Sequence, residues 1–577
     1  MSAEPLAPHP RRRPPLSSFV VVPTLICLLL VACEPSGPPA DTIFTGEFVT
    51  LDTSNPRVEA LAVTDGRIVA AGSRSQVERL ANDATQRIAI PGLAVPGFAE
   101  GHAHPTGVGR MVQGNRLDFY GMSKEEVLAA IAAVVLVTRS GEWITGRAWD
   151  EGFWDPPNYP TAADLDPLSS EHPMSFSRLG GHGSWVNSVA LELAGITRDT
   201  PDPPGGRINR DDSGDATGVL VDNAQSLVSR VGPSDRGRSE ADESVLPAGL
   251  QQYARWGVTS VHDAGAGLDR IAQYRELLAD GELPVRIYAM ASTGPTLEHY
   301  LAEGPEIGLG DGMLTVRAFK LFMDGALGSR GAELTDPYMD GDDPEERGLL
   351  RIDLQGLDEI IAEARAKGFQ INPHAIGDRA ITRLLDAYER GGVTVEDRFR
   401  IEHASVINPT DVARFARLGV IASLQPVFIG EYSRWSETRL GPERVRWVLP
   451  TRDLLEAGVV VASGTDYPSS DSGNPIHTLY GLVARKAADG RPAGGWYTEQ
   501  AIDVDTALRT MSIGPAYAAF QEDDLGQLTV GRYADFTVLS EDPFEIPADS
   551  LLRLTVRMTV MGGRITHDAS PSAGSGT

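Results

Sequence analysis

Eight short apolar segments recur through the middle of the chain, and their number constrains the fold more than any other feature. Stretches with apolar residues at helical spacing, such as 358–366 and 380–388, separate several of them. This alternation indicates βα units around a parallel sheet, and eight such strands close a TIM-type (β/α)8 barrel. The predicted strands are 93–98, 258–262, 285–290, 316–322, 369–374, 399–403, 420–425 and 459–463.

Segments near both chain ends carry a second pattern, that of a β-hairpin. In 62–69 and 559–566 a turn dipeptide, Asp-Gly or Gly-Gly, lies between strand-forming residues. We therefore predict a β-sandwich domain built from both chain ends, with its N-terminal half at 42–92 and its C-terminal half at 511–568. The barrel is then expected to span 93–510.

A long stretch separates the first two predicted barrel strands. It holds about 150 residues, far more than one crossover requires, and it is rich in Trp, Gly and Pro. We predict an inserted α+β subdomain at about 107–245. Long additions at the C-terminal face of a barrel usually cover the active site, so this one is expected to do the same.

The N-terminal residues predict a processing segment. Arg11-Arg12-Arg13 precedes the apolar run 19–31, and Leu30-Val31-Ala32-Cys33 resembles the bacterial lipoprotein signal. We therefore expect a signal peptide at 1–32, a lipid on Cys33 and a tether at 33–41. The protein would then be anchored in the bacterial cell envelope, facing the periplasm or the exterior. An uncleaved anchor and an ordinary secretory signal are the alternatives.

Charge and cysteine content exclude several classes of function. The formal net charge of −28 opposes binding to nucleic acid and to anionic membrane surfaces. Both cysteines of the chain, Cys27 and Cys33, lie in the N-terminal segment, so thiolate ligands and cysteine nucleophiles are excluded from the mature domain. We expect a small molecule as the substrate, and the oligomeric state is open. The small polar tail at 569–577 is predicted to be disordered.

Residues of metal-binding type fall toward the C-terminal ends of the predicted strands. His102 and His104 are one residue apart, and positions i and i+2 of a strand point to the same face. The C-terminal ends of barrel strands converge on one face, so these side chains can meet there. A lone histidine would more often be structural, but the set predicts a metal centre. Its other members are Lys320, His374, His403 and Asp466.

Together these motifs resemble the amidohydrolase superfamily, in particular its amidohydrolase-3 branch, the group similar to N-substituted formamide deformylases. The resemblance runs from about residue 42 to 568. It implies a barrel with a β-sandwich and hydrolysis of non-peptide C–N bonds in amides or formamide-like small molecules. The motifs are Pro96-Gly97-Phe98, His102-Ala103-His104, Arg178, Gly181-His182, Trp185 to Ser188, Lys320, Asp324 to Arg330, His374 to Arg379, Glu402-His403 and Gly464-Thr465-Asp466.

Lys320 needs a separate account, because a protonated amine cannot bind a metal. In the relatives, this amine takes up carbon dioxide and becomes a carbamate that bridges two metals. The resemblance therefore implies two ions, zinc in the first place with manganese or iron as alternatives. One ion would be held by His102, His104 and Asp466, and the other by His374 and His403. Alternatively, Lys320 lines the core and pairs with an acid such as Asp324.

We expect Asp466 to be the general base, taking a proton from a water activated by the metal and passing it to the leaving nitrogen. The predicted substrate contacts are Trp149, Arg178, His182 and His262, although the tryptophan would equally suit the core of the insertion. Two other functions remain open. One is an esterase, lactonase or phosphoesterase on the same metal centre. The other is a non-catalytic solute-binding lipoprotein.

Overall fold

The computed structural model describes residues 39–114, 117–232, 243–341 and 343–569. The predicted signal peptide and Cys33 lie outside these residues, and so does the predicted tail except for Ala569. In the part of the chain that is described, no helix is both long and apolar enough to span a membrane.

A parallel sheet of eight strands forms the centre of the molecule and confirms the predicted barrel. Each strand pairs in parallel with its neighbour in the order β1 to β8. Polar contacts between β1 and the residues that follow β8 complete the nearly closed ring. The strands are Phe98–Ala103 (β1), Val258–Ala266 (β2), Arg286–Ala291 (β3), Leu314–Phe322 (β4), Gln370–Ala375 (β5), Arg400–His403 (β6), Ile421–Leu424 (β7) and Val461–Ser463 (β8).

The first barrel strand begins later than the sequence predicts. Residues 93–96 belong to the strand Gln86–Pro96 of another sheet, where they pair antiparallel with Phe536–Leu539. The prediction of 93–98 was wrong because the apolar run is buried in two successive sheets, and hydrophobicity alone does not divide it. Gly97 separates the two strands, and a Cβ at this position would meet the side chain of Thr259 at 2.2 Å. His102 therefore lies inside β1 and His104 follows it.

Both chain ends contribute strands to one seven-stranded sheet, as the two hairpins predict. Phe44 and Phe48 pack edge-to-face on Phe536, with ring centroids 5.0 and 5.5 Å apart, in the core of this sheet. The domain boundaries proposed from the sequence stay a prediction. In spatial order the strands are Arg564–Asp568, Val556–Met561, Phe536–Leu539, Gln86–Pro96, Thr42–Val49, Arg57–Thr64 and Arg67–Gly72.

The predicted insertion after β1 contains a six-stranded mixed sheet. Trp149, Trp154 and Trp185 pack together in its core with centroid distances of 5.9 to 6.3 Å. Its helices include Pro105–Val112, Lys124–Val135, Ser188–Leu193 and Gln225–Ser229. In spatial order the strands are Gly206–Arg210, Ala216–Asp222, Gly183–Val186, Met174–Arg178, Ile144–Trp149 and Leu117–Asp118.

Helices cover the outside of the barrel, and their sequences explain their positions. The helix Asp378–Arg390 buries Ile381, Leu384 and Tyr388, which lie on one face at three- to four-residue spacing. The helix Leu354–Lys367 ends at Gly368, whose φ of +77° suits a glycine. The longer helices of this layer are Val245–Arg255, Leu268–Ala279, Pro295–Glu303, Leu354–Lys367, Asp378–Arg390, Pro409–Leu418, Ile429–Arg444 and Pro475–Ala484.

Candidate metal centre

Three of the predicted ligands lie within reach of a single ion. One donor atom from each of His102, His104 and Asp466 lies within 4.8 Å of the others. Asp466 Oδ1 is 2.9 Å from His104 Nε2 and 3.5 Å from His102 Nε2. The backbone N–H of Asp466 also donates to the carbonyl of His102 at 2.9 Å, which fixes the loop after β8 against β1. Two imidazoles and a carboxylate are a ligand set that zinc accepts.

The other predicted ligands continue this cluster as a row of imidazole rings. The ring of His403 lies 4.6 Å from that of His102 and 4.5 Å from that of His374, measured between centroids. His182 from the insertion follows at 4.7 Å from His374. The structure thus brings the six predicted ligands, Lys320 among them, together with His182 around one cavity of about 360 Å³.

Hydrogen bonds orient two of these rings. His102 donates from Nδ1 to Glu402 Oε2 at 2.5 Å, and His403 donates from Nδ1 to Gln425 Oε1 at 2.7 Å. Each bond leaves the lone pair on Nε2 of the same ring available for a metal. Contacts of this type behind the ligands are the usual way in which metal-binding histidines are held.

The buried Nδ1 of His374 lacks a hydrogen-bond partner within the described residues. His374 donates from Nε2 to the carbonyl of Gly325 at 3.2 Å, so its orphaned Nδ1 carries the lone pair. Leaving such an atom unpaired in the interior is costly, and a bound cation would satisfy it. The residues present therefore fit a divalent metal.

The electrostatics of the cluster favour neutral imidazoles and ionised carboxylates. Burial lowers the pKa of His102, His374 and His403, so these rings are neutral near pH 7. Burial alone would raise the pKa of Glu402, but its interaction with His102, including the hydrogen bond, and the nearby charges of Arg400 and Lys320 outweigh it and lower that pKa to about 2. The pKa of Asp466 is likewise well below its usual range because of the neighbouring histidines. Both sets of protonation states are those that metal binding requires.

Lys320 lies in β4 with only 2% of its surface exposed. Its Nζ is 5.1 Å from the ring centroid of Phe322. Burial lowers the pKa of Lys320 to about 8, so about a tenth of the amine is uncharged at pH 7. An uncharged amine is the form that reacts with carbon dioxide.

Backbone strain is concentrated at the same place. His403, Ala404 and Asp466 have φ values of +72°, +40° and +59°, in the left-handed region that residues with a Cβ avoid. Each such residue costs about 1 to 3 kcal/mol, and such residues cluster at functional sites. Here the strained conformations aim two of the predicted ligands into the cavity.

Glu100, two residues before His102 in β1, supports the site from behind the ligands. Its carboxylate accepts hydrogen bonds from the backbone N–H of Thr465 and from Thr465 Oγ1, the latter at 2.9 Å. Burial raises the pKa of Glu100 to about 8. The contact joins β1 to the loop that carries Asp466, so it positions a ligand without being one.

Of the four predicted substrate contacts, the structure places only His182 on the cavity of the metal centre. His182 donates from Nδ1 to Asp222 Oδ1 at 2.6 Å, which leaves Nε2 as the acceptor nitrogen. Trp149 is fully buried in the core of the insertion and donates from Nε1 to the carbonyl of Phe176 at 2.8 Å.

The other two predicted contacts, Arg178 and His262, are also buried, and neither is among the described residues that line this cavity. Arg178 forms ion pairs with Asp150, Glu151 and Glu431, each at 2.9 Å. His262 Nδ1 lies 3.1 Å from Arg400, a contact below the level of the ligands. Arg178 was predicted as a contact because a guanidinium in the insertion could bind a carboxylate or carbonyl, and His262 because it ends a predicted strand. Residues from other parts of the chain bury both side chains.

The structure also adds residues to which the sequence analysis assigned no role. Arg110, Arg270 and Phe322 line the cavity, while Glu402 and Gln425 orient two of the histidines. Glu402 belongs to the motif Glu402-His403, but its place in that motif does not show which side chain it contacts. No local pattern marks Gln425, which follows the end of β7.

Comparison with known proteins gives a consistent result. A model of the amidohydrolase family (Amidohydro_3) matches residues 91–567. YtcJ of Bacillus subtilis (strain 168), a protein named as an amidohydrolase, is 32% identical over 545 residues, covering 92% of this chain and 99% of YtcJ. N-substituted formamide deformylase of Arthrobacter pascens is 27% identical over 548 residues, covering 91% and 97%.

A solved structure shares the fold. The crystal structure of an uncharacterized metal-dependent hydrolase from Pyrococcus horikoshii OT3 superposes with a TM-score of 0.69 at 25% identity, covering 88% of this chain and 99% of that one. The family match spans the barrel, and the cluster of histidines with Asp466 and Lys320 lies at the C-terminal ends of its strands. This chain belongs to the amidohydrolase family.

Proposed function

We propose that this protein hydrolyses a carbon–nitrogen bond in a small amide or formamide-like compound, with the help of divalent metal ions. The observation that carries the proposal is the convergence of four histidines, Asp466 and the buried Lys320 on one cavity. The similarity of the chain to N-substituted formamide deformylase of Arthrobacter pascens supports the choice of bond. Fold and metal ligands alone would also serve ester or phosphoester hydrolysis, so the bond must be tested.

The chain offers ligands for two ions. His102, His104 and Asp466 would hold one, and His374 and His403 would hold the other. Lys320 would join them as a carbamate: its neutral Nζ forms a bond to the carbon of CO2 and releases one proton, which leaves an anionic oxygen. Zinc suits this set of nitrogen and oxygen ligands. A divalent ion held by these residues would lower the pKa of a bound water molecule and polarise a substrate carbonyl.

Asp466 carries the proton transfer in this proposal. It lies on the cavity and is held by His104 at 2.9 Å and by the backbone of His102. Asp466 accepts a proton from the attacking water and returns it to the leaving nitrogen, which departs as an amine. His182 is placed across the cavity, where its Nε2 can accept a hydrogen bond from the substrate.

A substrate panel with matched variants tests the proposal. We expect hydrolysis of N-substituted formamides and small amides to exceed that of esters and phosphoesters with the same substituents. Lys320→Ala should lose the second metal equivalent and most of the turnover. His299→Ala is the control, because this histidine is exposed on a helix away from the site. Preferential hydrolysis of esters or phosphoesters would contradict the proposed bond, and full activity of Lys320→Ala would contradict the role of the lysine.

We also propose that the mature protein is held in the bacterial cell envelope by a lipid on Cys33. The basic and apolar residues before Leu30-Val31-Ala32-Cys33 support this. In a bacterial host, Cys33→Ser should move the protein from the membrane fraction to the soluble fraction. An unchanged distribution would contradict the anchor.

A further inference from the structure

A second cavity lies beside the metal centre, against the sheet of the insertion. It has a volume of about 290 Å³. Gly181, Pro468 and Ser469 line both this cavity and that of the metal centre, so the two meet at these residues. Gly181 has a φ of +74°, and a Cβ there would face Ser469 Oγ at 3.6 Å. The boundary between the two cavities is therefore formed by the backbone of Gly181, by Pro468 and by the small side chain of Ser469.

Hydroxyl groups dominate one wall of this second cavity because of strand alternation. Thr145 and Arg147 on one strand, and Ser175 and Ser177 on the next, point to the cavity. The intervening residues, such as Phe176, are buried in the core on the opposite face of the sheet. Ser184 on a third strand adds another hydroxyl. This sheet thus presents a polar face to a partly open cavity, in which Thr145, Ser175 and Ser177 are partly exposed.

The two arginines that line the second cavity are already paired. Arg147 donates to Asp118 Oδ2 at 2.6 Å and to the carbonyl of Ser470 at 3.0 Å. Arg178 is held by three carboxylates, as described above. An ionic ligand would have to compete with these partners. Trp143, partly exposed on the same wall, offers an aromatic face for C–H groups.

We propose that this second cavity binds a neutral polyhydroxyl group carried on the nitrogen of the scissile amide. Such a group offers a donor and an acceptor at each carbon, which matches hydroxyl side chains, and its C–H face can pack on Trp143. The proposal rests on the proposed amide hydrolysis, and it names the class of substrate: an N-acylated amino sugar alcohol or a similar compound.

The test compares N-formyl derivatives of methylamine, hexylamine, 6-aminohexanoate and 1-amino-1-deoxyhexitol. The hexitol compound should have the lowest KM, at least about tenfold below that of the hexyl compound. Thr145→Val and Ser177→Ala should each raise the ratio of KM for the hexitol compound to KM for N-formylmethylamine about three- to tenfold. Ser226→Ala is the matched control, because this serine lies on the helix Gln225–Ser229 but outside the cavity; its ratio should equal that of the wild type.

The outcomes separate this proposal from the one on which it rests. Hydrolysis of N-formylmethylamine combined with a lower KM for the hexyl or carboxylate compound would overturn the polyhydroxyl assignment. So would unchanged KM ratios in both variants. Absence of all hydrolysis would contradict the amide function instead. Titration of the protein with the N-formyl hexitol, followed by ligand NMR, still reports binding in that case. Binding weakened by Thr145→Val supports the site, and binding equal in all variants, or none, overturns it.

Discussion

Replacing Arg178 by methionine tests whether the paired arginine supports the fold or contacts substrate. Its guanidinium makes three ion pairs of 2.9 Å, with Asp150, Glu151 and Glu431, and only 1% of its side chain is exposed. Methionine fills a similar volume without the charge. The substitution therefore leaves three carboxylates without their shared cation in the interior, where Arg439 remains as a partner of Glu151.

The expected loss of stability is large. Removing one member of a buried ion pair destabilises proteins by about 3 to 5 kcal/mol, because the remaining charge is buried without compensation. The loss should grow with pH. Burial already raises the pKa of Glu431 from its ordinary value of 4.5 to about 7 in the native protein. Without Arg178 its charged form is disfavoured further, so the variant should be least stable above pH 7, where this carboxyl must ionise.

Urea unfolding followed by tryptophan fluorescence measures the effect, with Arg198→Met as the control. Arg198 pairs with Asp215 at 2.7 Å, but both side chains are more than half exposed, so its loss should leave the unfolding midpoint close to that of the wild type. Equal midpoints for the two variants would refute the reasoning. A variant Arg178→Met with the wild-type midpoint and a raised KM would instead support direct contact with substrate.

Three further predictions follow from the same contacts. Asp466→Asn should keep the fold, by circular dichroism, but lower turnover about 10²- to 10⁴-fold, and near-normal turnover would contradict its role as the base. Glu402→Gln weakens the hydrogen bond that orients His102, so metal affinity measured against a competing chelator should fall about 10- to 100-fold; unchanged affinity would count against that role. Because the raised pKa of Glu431 means that the native state binds its proton more tightly, the contribution of this carboxyl to stability should fall as the pH rises from about 4.5 to 7, opposite in sign to the contribution of the buried histidines. Urea unfolding at pH 5 and pH 8 should therefore show that the stability of the wild type relative to Glu431→Gln is lower at pH 8 than at pH 5, and an equal difference at both pH values would contradict the assignment.

The barrel and the grouping of the ligands could be predicted from the sequence because both depend on local rules. Strand-forming segments are recognisable along the chain, and the C-terminal ends of parallel strands meet wherever a barrel closes. His374 and His403 were placed in this way without knowledge of their neighbours. The start of β1 was misplaced because two buried strands, one in each sheet, follow each other with only Gly97 between them.

Contacts between distant residues could not be predicted in this way. Glu402 is 300 residues from His102, and Glu431 is 253 residues from Arg178. Nothing near Arg178 in the sequence shows that three carboxylates neutralise it, so its charge suggested a binding role. The hydroxyl wall of the second cavity likewise depends on which face of the inserted sheet is covered.

Metal content measured together with activity tests the central claim most directly. The purified protein should contain two equivalents of a divalent metal per chain, as measured by inductively coupled plasma mass spectrometry. Dialysis against a chelator should abolish formamide hydrolysis, and adding zinc with bicarbonate should restore it. His374→Ala should retain one equivalent, because the ligands on β1 and after β8 are intact. Full hydrolysis by the metal-free protein would contradict the account.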